Sequence, residues 1–349
     1  MVQKLETMIK RLQIPAVSTA RIDQSGKMIS QALGVSNVES MSAVTKDTVF
    51  EAASLSKPVF AYIVLKMIEV GHFSRPNMPQ ENGLDRPLHE ICPFGPAHLR
   101  EHPNYKLLTP RLILSHQSGL PNWFKSNQPE EYIAPSGTRF DYSGLGFCFL
   151  SEVVEFLKKT SLEELAQETF HSLEMCHSTF IMPDDTVDRA IGHHANAQVD
   201  TRDHFPLHLQ PNPAASLFTT AEDYAVFLKA CANDPFIREY MFSSQIALAG
   251  HDASTIMTSV SCRILQKLSW GLGIGLIKAS NSTIIAFHWG DVETNRAFAA
   301  INLQTNTIIT CFTNSTNGPL LYRNIIAPIV GDITPALQWI EQRERVRRT

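Results

Sequence analysis

Residues 50–70, Phe-Glu-Ala-Ala-Ser-Leu-Ser-Lys-Pro-Val-Phe-Ala-Tyr-Ile-Val-Leu-Lys-Met-Ile-Glu-Val, contain a short apolar run followed by a nearly continuous apolar helix pattern. We predict a helix over residues 54–70, because Pro58 is tolerated near a first turn and Gly71 ends the helix. Since this helix is apolar on most sides, it is expected to lie buried in the centre of the protein.

Strand patterns at the two ends of the chain flank this helix and a helical middle. Residues 14–35 predict a hairpin, and after residue 269 four short β-rich runs predict an antiparallel meander. The pattern therefore predicts an α+β fold, an antiparallel sheet flanked by helices with an all-helical insertion. The expected domains are a sheet domain built from residues 1–75 and 265–349 and a mainly helical insertion over 76–264, with the active site in the cleft between them.

Two helices are predicted near the second half of this pattern. Residues 220–234 have the apolar periodicity of a helix, and Thr219 or Thr220 is expected to cap its N-terminus. A last helix is predicted over residues 319–345, with basic residues at its C-terminal end, where they suit the helix dipole.

Composition narrows the class of protein. The chain has 349 residues, of which 44% are hydrophobic and 18% charged, against about 25% charged in an average soluble domain. A compact globular protein is therefore expected. The formal charge of -4 is too near neutral for a protein that tracks nucleic-acid phosphates. Six cysteines without a Cys-x-x-Cys motif favour buried thiols in a reducing compartment over a zinc ribbon or a disulfide scaffold.

The N-terminal residues bear on location. Lys4, Glu6, Lys10 and Arg11 fall where a signal peptide needs an uninterrupted apolar stretch. No window approaches the roughly 18 apolar residues of a membrane span. The sequence predicts a cytoplasmic protein without a membrane partner, and secretion by a leaderless route stays open.

Ser54 and Lys57 form the only Ser-x-x-Lys pattern in the chain. Their spacing places both side chains on one helical face, and a helix N-terminus favours negative charge on the hydroxyl and a neutral amine on the lysine. An amine beside a hydroxyl activates a serine nucleophile without histidine. The alternative interpretation makes Ser54 a helix cap and Lys57 a surface lysine.

Three further segments extend this pattern. Residues 114–120, Leu-Ser-His-Gln-Ser-Gly-Leu, follow Thr109-Pro110; residues 140–144, Phe-Asp-Tyr-Ser-Gly, precede an apolar helix; and residues 287–290, Phe-His-Trp-Gly, end a strand. In this order, the blocks resemble the family of class C β-lactamases, penicillin-binding-protein-like peptidases and related serine esterases. The resemblance spans about residues 13–315 and implies a β-lactamase/transpeptidase-like fold.

The resemblance also implies catalytic roles. Ser54 becomes the acylated nucleophile, Lys57 its proton acceptor and Tyr142 the second acid/base. A desolvated cluster of Lys57, Tyr142 and a protonated His288 is expected to repel protons from its members and lower their pKa values, so that one of them acts as the base.

The remaining predicted site residues bind substrate or line its pocket. The backbone N–H groups of Ser54 and Asp291 are expected to form an oxyanion hole, whose donors are typically worth about 3 kcal/mol each. Trp123, Trp289 and Phe124 are candidates for an apolar acyl pocket, with a core role as the alternative. The predicted oxyanion and substrate-binding residues are His288, Trp289, Gly290, Asp291, Gly144 and Trp123.

Two departures from the family pattern bear on the substrate. Tyr142-Ser143-Gly144 stands where β-lactam-processing relatives have Tyr-x-Asn, so the amide is missing. His288-Trp289-Gly290 stands where they have Lys-Thr-Gly, so an indole replaces a hydroxyl. Both changes weaken recognition of penicillins and cell-wall peptides. The expected protein is an esterase-like serine hydrolase of a small-molecule ester or amide; a β-lactamase or D-amino-acid peptidase, an acyltransferase and a catalytically silent cleft-binding protein stay open.

Other histidines offer weaker sites. The pairs His98/His102 and His204/His208 have a spacing of four, but no Glu completes a zinc-protease motif. No metal and no cofactor is therefore expected. His116 and the His193-His194 pair are interpreted as structural or surface residues, and Asp291 and Arg296 as either substrate contacts or turn-stabilising residues. The sequence leaves the oligomeric state open.

Overall fold

The protein is represented by a computed structural model, and the residues described are 2–76, 78, 82–126, 128–201, 210–252, 261–279 and 283–348. The chain folds into two compact units, each built from three segments. Unit 1 comprises Met1–Ser56, Ala166–Asn233 and Ala279–Thr334, and unit 2 comprises Lys57–Leu165, Asp234–Lys278 and Pro335–Thr349. The predicted division into a sheet domain and a helical insertion stays a prediction.

Within the described residues, the strands in chain order are β1 (Ala16–Ile22), β2 (Met28–Asn37), β3 (Ser42–Ala43), β4 (Phe50–Ala53), β5 (Leu217–Thr219), β6 (Ile246–Ala247), β7 (Leu268–Trp270), β8 (Gly275–Lys278), β9 (Ile284–Asp291), β10 (Arg296–Asn302) and β11 (Thr307–Thr313). The α-helices are α1 (Val2–Arg11), α2 (Ser56–Glu69), α3 (Pro110–Leu114), α4 (Gly144–Lys158), α5 (Leu162–Ser172), α6 (Ala221–Asn233), α7 (Pro235–Met241), α8 (Cys262–Leu265), α9 (Pro319–Ile325), α10 (Ala327–Val330) and α11 (Thr334–Arg348). Four 3-10 helices lie between α2 and α3, at Gly83–Asp85, Leu88–Glu90, Ala97–Leu99 and Pro103–Leu107.

Unit 1 contains an antiparallel sheet whose strands follow the order β3-β2-β1-β11-β10-β9. Val17 on β1 pairs with Leu33 on β2 and with Thr313 on β11. The predicted hairpin is present, and Gly26 adopts φ 82° in its turn, where a residue without a Cβ avoids a steric penalty. Strands β9, β10 and β11 form the predicted antiparallel meander.

Helix α6 packs on this sheet in unit 1. The Thr310 hydroxyl on β11 donates a hydrogen bond of 2.7 Å to the carbonyl of Ala221 in the first turn of α6. The rings of Tyr224 and Phe312 lie 6.2 Å apart. The predicted cap is Thr220, whose hydroxyl oxygen accepts from the Asp223 N–H at 3.1 Å. These contacts bury one face of the sheet under α6.

Helix α2 leads from unit 1 into unit 2 and is buried along most of its length, as its apolar pattern predicts. It begins two residues later than predicted, because Ser54 and Leu55 form a turn. Unit 2 also contains the antiparallel strands β6, β7 and β8 and helix α4. Ser143 caps α4 by accepting the Gly146 N–H at 3.0 Å.

The single predicted helix over residues 319–345 is wrong. The segment forms α9, α10 and α11, with breaks after Ile325 and Val330. Pro328 lies in the first turn of α10, where its missing N–H is tolerated but a continuous helix is not. Gly331 adopts φ 107° and ends α10, which redirects the chain before α11.

All six cysteines lie in the described residues and are thiols rather than disulfides. The expectation that all six are buried is wrong for Cys176 and Cys262, which are exposed. Cys176 follows α5 in a turn and Cys262 begins the short helix α8, so neither has a layer of structure to cover it. Among the helices described, none combines the length and the apolar character needed to cross a membrane. The cytoplasmic location stays a prediction.

His193 joins two strand ends of unit 1 through both ring nitrogens. Nδ1 lies 3.1 Å from the Asn314 carbonyl oxygen, and Nε2 accepts the Val38 N–H at 3.3 Å. Nδ1 therefore carries the proton, and the neutral ring satisfies both contacts. Burial lowers the pKa of His193 below its ordinary value of 6.5. Protonating Nε2 would remove the bond from Val38 and leave a buried charge.

We expect the free energy of unfolding to fall as the pH drops below 6.5. A histidine whose folded-state pKa is lowered contributes stability above its unfolded pKa and loses it as the pH falls through the folded value. Urea titrations at several pH values would show this slope, and His193→Gln would flatten it. The exposed His171 on α5 gives the control His171→Gln, which should keep the wild-type slope. An unchanged slope in His193→Gln would contradict the assignment.

Candidate active site

Ser54 lies in the turn between β4 and α2 and is partly exposed. The residue before it, Ala53, has φ 48°. This left-handed conformation costs a residue other than glycine about 1–3 kcal/mol and persists where the surrounding structure holds it in place. The Leu55 N–H donates a hydrogen bond of 3.1 Å to the Ala52 carbonyl. The backbone therefore turns sharply at the end of β4 and places Ser54 just before the N-terminus of α2.

The residues that follow Ser54 are held by hydrogen bonds within unit 1. The Ser56 hydroxyl donates to the Ala53 carbonyl at 2.6 Å and accepts from the Leu217 N–H at 2.9 Å. The Tyr224 hydroxyl donates to the Leu55 carbonyl at 3.0 Å. Ser56 is fully buried and its hydroxyl is engaged in both roles. Of the two serines in this turn, Ser54 is therefore the candidate nucleophile.

Lys57 and Tyr142, far apart in the sequence, are in contact within unit 2. Lys57 Nζ lies 4.7 Å from the centroid of the Tyr142 ring and 5.8 Å from that of Phe147. Lys57 is only 1% exposed, and Tyr142 is 7% exposed. Lys57 is thus not a surface lysine, which removes that part of the alternative interpretation. An amine enclosed in this way loses hydration, which disfavours its charged form.

Two further side chains shape the electrostatics around this pair. Burial raises the pKa of the Cys148 thiol to about 12. This thiol is therefore protonated at neutral pH and does not compete as a nucleophile. On α11, the Arg343 guanidinium carbon lies 5.3 Å from the centroid of the Tyr142 ring, and Arg343 forms an ion pair of 3.6 Å with the buried Asp252.

His116 is the residue near this pair that sequence reasoning missed. It is fully buried, so of its two interpretations, structural or surface, only the structural one remains, and its ring centroid lies 4.3 Å from that of Tyr142. Its position within residues 114–120 was a signal for this contact, because that block is one of those that carry the family resemblance.

Trp123 and Gly144 are brought together in unit 2. A Cβ built on Gly144 would lie 2.7 Å from the Trp123 ring atoms Cη2 and Cζ2. The space that a side chain at position 144 would need is therefore occupied by the indole. Trp123 is itself partly exposed, and its role in an acyl pocket stays a prediction. Phe124 is partly exposed as well.

His288, Trp289, Gly290 and Asp291 lie at the end of β9 in unit 1. His288 and Trp289 are buried and their rings stack at 5.2 Å; His288 Nδ1 lies 2.9 Å from both the backbone nitrogen and the carbonyl oxygen of Trp289. Asp291 forms an ion pair of 2.5 Å with Arg296 and accepts the Glu293 N–H at 2.8 Å. The Asp291 and Arg296 side chains therefore stabilise the β9–β10 turn.

Gly290 approaches the strand that leads into Ser54. A Cβ on Gly290 would lie 2.1 Å from the Ala52 carbonyl oxygen, and that oxygen is the acceptor for the Leu55 N–H. Glycine at position 290 therefore allows β9 to pack against β4. The structure thus brings Ser54 and Gly290 close through Ala52 in unit 1, and Lys57, Tyr142, Trp123 and Gly144 are described in unit 2. The convergence of the two sets in one cleft stays a prediction.

Of the two histidine pairs considered as metal ligands, His98 and His102 lie in the described residues, whereas His204 and His208 lie outside them. In the part of the chain that is described, no three His, Cys, Asp or Glu side chains are arranged to hold a metal ion. The expectation of no metal and no cofactor stays a prediction.

Comparison with solved structures identifies the fold. A penicillin-binding protein homologue from Pyrococcus abyssi, described as octameric, is 20% identical, with a TM-score of 0.71 over 94% of this chain and 76% of that one. A D-alanine carboxypeptidase from Burkholderia cenocepacia is 16% identical, with a TM-score of 0.70 over 99% and 97% of the two chains. A class C beta lactamase from Rhodobacter sphaeroides is 13% identical, with a TM-score of 0.70 over 100% and 99%. The β-lactamase/transpeptidase-like fold is therefore confirmed.

The sequence itself supports a family assignment. No curated protein matches the chain, whereas a family model described as Beta-lactamase matches residues 1–326. This match covers nearly the whole chain, including the turn at Ser54, the contact of Lys57 with Tyr142 and the end of β9. The chain therefore belongs to the beta-lactamase family, a family of serine hydrolases.

Proposed function

We propose that the protein is a serine hydrolase that forms an acyl-serine intermediate on Ser54 from a small-molecule ester or amide, with an ester preferred. The observation that carries this proposal is the buried Lys57 amine 4.7 Å from the Tyr142 ring centroid, three residues after a partly exposed serine. An amine and a phenol shielded from water supply the proton acceptor and donor that acyl transfer needs.

Each half of the proposed reaction begins and ends with Lys57 neutral and Tyr142 protonated. The Ser54 hydroxyl oxygen attacks the substrate carbonyl while its proton passes to the neutral Lys57 amine. Tyr142 then gives a proton to the departing alkoxide or amine and is reprotonated from Lys57, which leaves an acyl-serine. Water attacks this ester in the second half, losing its proton to the same pair, and Ser54 regains its hydrogen. Backbone N–H groups of Ser54 and Asp291 are proposed to stabilise the oxyanion.

The identity of residues 123 and 144 favours an ester over a β-lactam. An asparagine at position 144 would collide with the Trp123 indole, since even a Cβ there would lie 2.7 Å from ring carbons. The site therefore lacks a side-chain amide at this position and has an apolar ring instead. A pocket wall of this kind suits an acyl chain without an amide substituent.

A fluorophosphonate probe tests the proposal directly. We expect one probe molecule to add to the wild-type protein, located on Ser54 by peptide mass analysis, and none to add to Ser54→Ala. The matched control is Ser56→Ala, two residues away, which should still be labelled at Ser54 when corrected for its folded fraction. Labelling at another residue, or equal labelling of Ser54→Ala, would overturn the assignment.

The same proteins separate the remaining alternatives. We expect turnover of a short-chain chromogenic ester and little or no nitrocefin turnover. Nitrocefin turnover that is lost in Ser54→Ala would instead favour a β-lactamase. Esterified products formed from an added alcohol at the expense of free acid would favour an acyltransferase. An unmodified Ser54 with every acyl donor would favour a catalytically silent binding protein.

A further inference from the structure

We propose that His116 is a positioning residue that holds Tyr142 in place for acyl transfer. The inference rests on the proposed function, because it assigns His116 a role only through Tyr142. Three separate contacts of His116, all within unit 2, support it.

Two of these contacts are hydrogen bonds to the backbone on either side of Tyr142. The His116 carbonyl accepts the Asp141 N–H at 2.8 Å, and the ring nitrogen Nδ1 accepts the Ser143 N–H at 3.0 Å. A single residue therefore fixes both neighbours of the phenol. Misplacement of a reacting group by about 1 Å can cost on the order of 10²-fold in rate, so this restraint bears directly on catalysis.

The third contact is between the rings. The His116 ring lies 4.3 Å from the Tyr142 ring, with an interplanar angle of 30°. Phe147 and Trp270 pack on the imidazole at 5.2 and 5.4 Å, and Phe140 meets it edge-on at 5.5 Å. The imidazole therefore forms a fixed surface behind the phenol ring. Lys57 Nζ lies 4.7 Å from the centroid of the same phenol ring.

The His116 backbone is held in an uncommon conformation. Its φ is 59°, which is costly for a residue other than glycine. Its N–H donates to the Ile113 carbonyl at 3.0 Å, and the next N–H, of Gln117, donates to the Leu112 carbonyl at 2.7 Å. Asparagine tolerates this region better than most residues. The bonds to Ile113 and Leu112 are those of a helix C-cap, which fixes His116 at the end of α3.

The hydrogen-bond pattern separates positioning from proton transfer. Because Nδ1 accepts from the Ser143 backbone, that nitrogen carries no proton and is committed to a structural bond. The role of this nitrogen is therefore to hold the backbone next to Tyr142.

Two substitutions separate the hydrogen bond from the ring. His116→Asn keeps an acceptor at the position of Nδ1 and suits the positive φ, but loses the ring. His116→Phe keeps a ring but loses the acceptor. We expect His116→Phe to lower kcat for a chromogenic ester about 10- to 100-fold with KM little changed, and His116→Asn to recover most of this loss. A purely structural role would instead make both variants track their loss of folded protein.

A second measurement does not depend on activity. Hydrogen exchange of the peptide that contains Ser143 should be faster in His116→Phe than in the wild type and near wild type in His116→Asn. The matched control is His193→Gln, which alters another buried, hydrogen-bonded histidine and should leave both kcat and this exchange unchanged.

The outcomes distinguish the inference from the proposed function. If the wild-type protein is not acylated at Ser54, the proposed function fails and the positioning role falls with it. If the wild type is acylated but His116→Phe keeps the wild-type kcat, only the positioning role is overturned. It is also overturned if His116→Asn is as slow as His116→Phe, or if exchange at Ser143 is the same in wild type and His116→Phe.

Discussion

Replacing Lys57 with methionine is expected to slow acylation of Ser54 by about 10²–10⁴-fold, the usual contribution of a positioned general base. Lys57 is buried, and its amine lies on the Tyr142 and Phe147 rings. Methionine matches the unbranched shape of the lysine stem but has no nitrogen to accept the Ser54 proton. The rate of fluorophosphonate labelling is measured at several probe concentrations. Samples are quenched at set times and the intact protein is analysed by mass spectrometry.

The same helix offers a matched control. Lys66 on α2 pairs with Asp234 at 2.8 Å and with Glu69, and Lys66→Met makes the same chemical change away from the rings. We expect wild-type labelling in Lys66→Met. Labelling is compared per folded molecule, with the folded fraction of Lys57→Met taken from urea titrations. Wild-type labelling by a folded Lys57→Met protein would show that Lys57 is not the base.

The parts of the fold that local chemistry decides were predictable. The hairpin needs a residue that tolerates positive φ, and Gly26 supplies it at φ 82°. Helix α6 begins after Thr220 because a hydroxyl there satisfies a backbone N–H of the first turn. The single helix predicted over residues 319–345 followed the apolar periodicity past Pro328 and Gly331, two residues whose local chemistry interrupts a helix.

The candidate site divides in the same way. Ser54 and Lys57 are identified by spacing, and the order of the sequence blocks singles out Tyr142, whose ring Lys57 contacts. Nothing local distinguishes Ser54 from Ser56; the difference comes from the hydrogen bonds of Ser56 to Ala53 and Leu217.

The contacts of His116 and Trp123 are not set by the residues next to them in the sequence. A histidine at the end of a short helix acquires its role from rings contributed by distant segments, Phe140, Tyr142, Phe147 and Trp270. Likewise, the missing amide at Gly144 is visible in the sequence, but the indole that fills its place is visible only in the fold.

Replacing Gly290 with alanine is expected to abolish most labelling of Ser54, although Gly290 itself carries no reactive group. The new Cβ would lie 2.1 Å from the Ala52 carbonyl oxygen, and a backbone atom cannot move aside as a side chain does. Overpacking of this kind typically costs about 1–3 kcal/mol and occasionally more. Here the displaced oxygen is also the acceptor for the Leu55 N–H, so relief of the clash opens the turn that holds Ser54.

The control and the measurement separate local distortion from unfolding. Nothing lies within 4 Å of a Cβ built on Gly26, so Gly26→Ala introduces only the cost of positive φ, about 1–2 kcal/mol, and should keep wild-type labelling per folded molecule. Gly290→Ala should lose stability in urea titrations and, in its folded fraction, label at a few per cent of the wild-type rate. If folded Gly290→Ala labels as fast as Gly26→Ala, the contact between β9 and β4 does not hold the Ser54 turn, and the oxyanion hole proposed at the end of β9 loses its structural support.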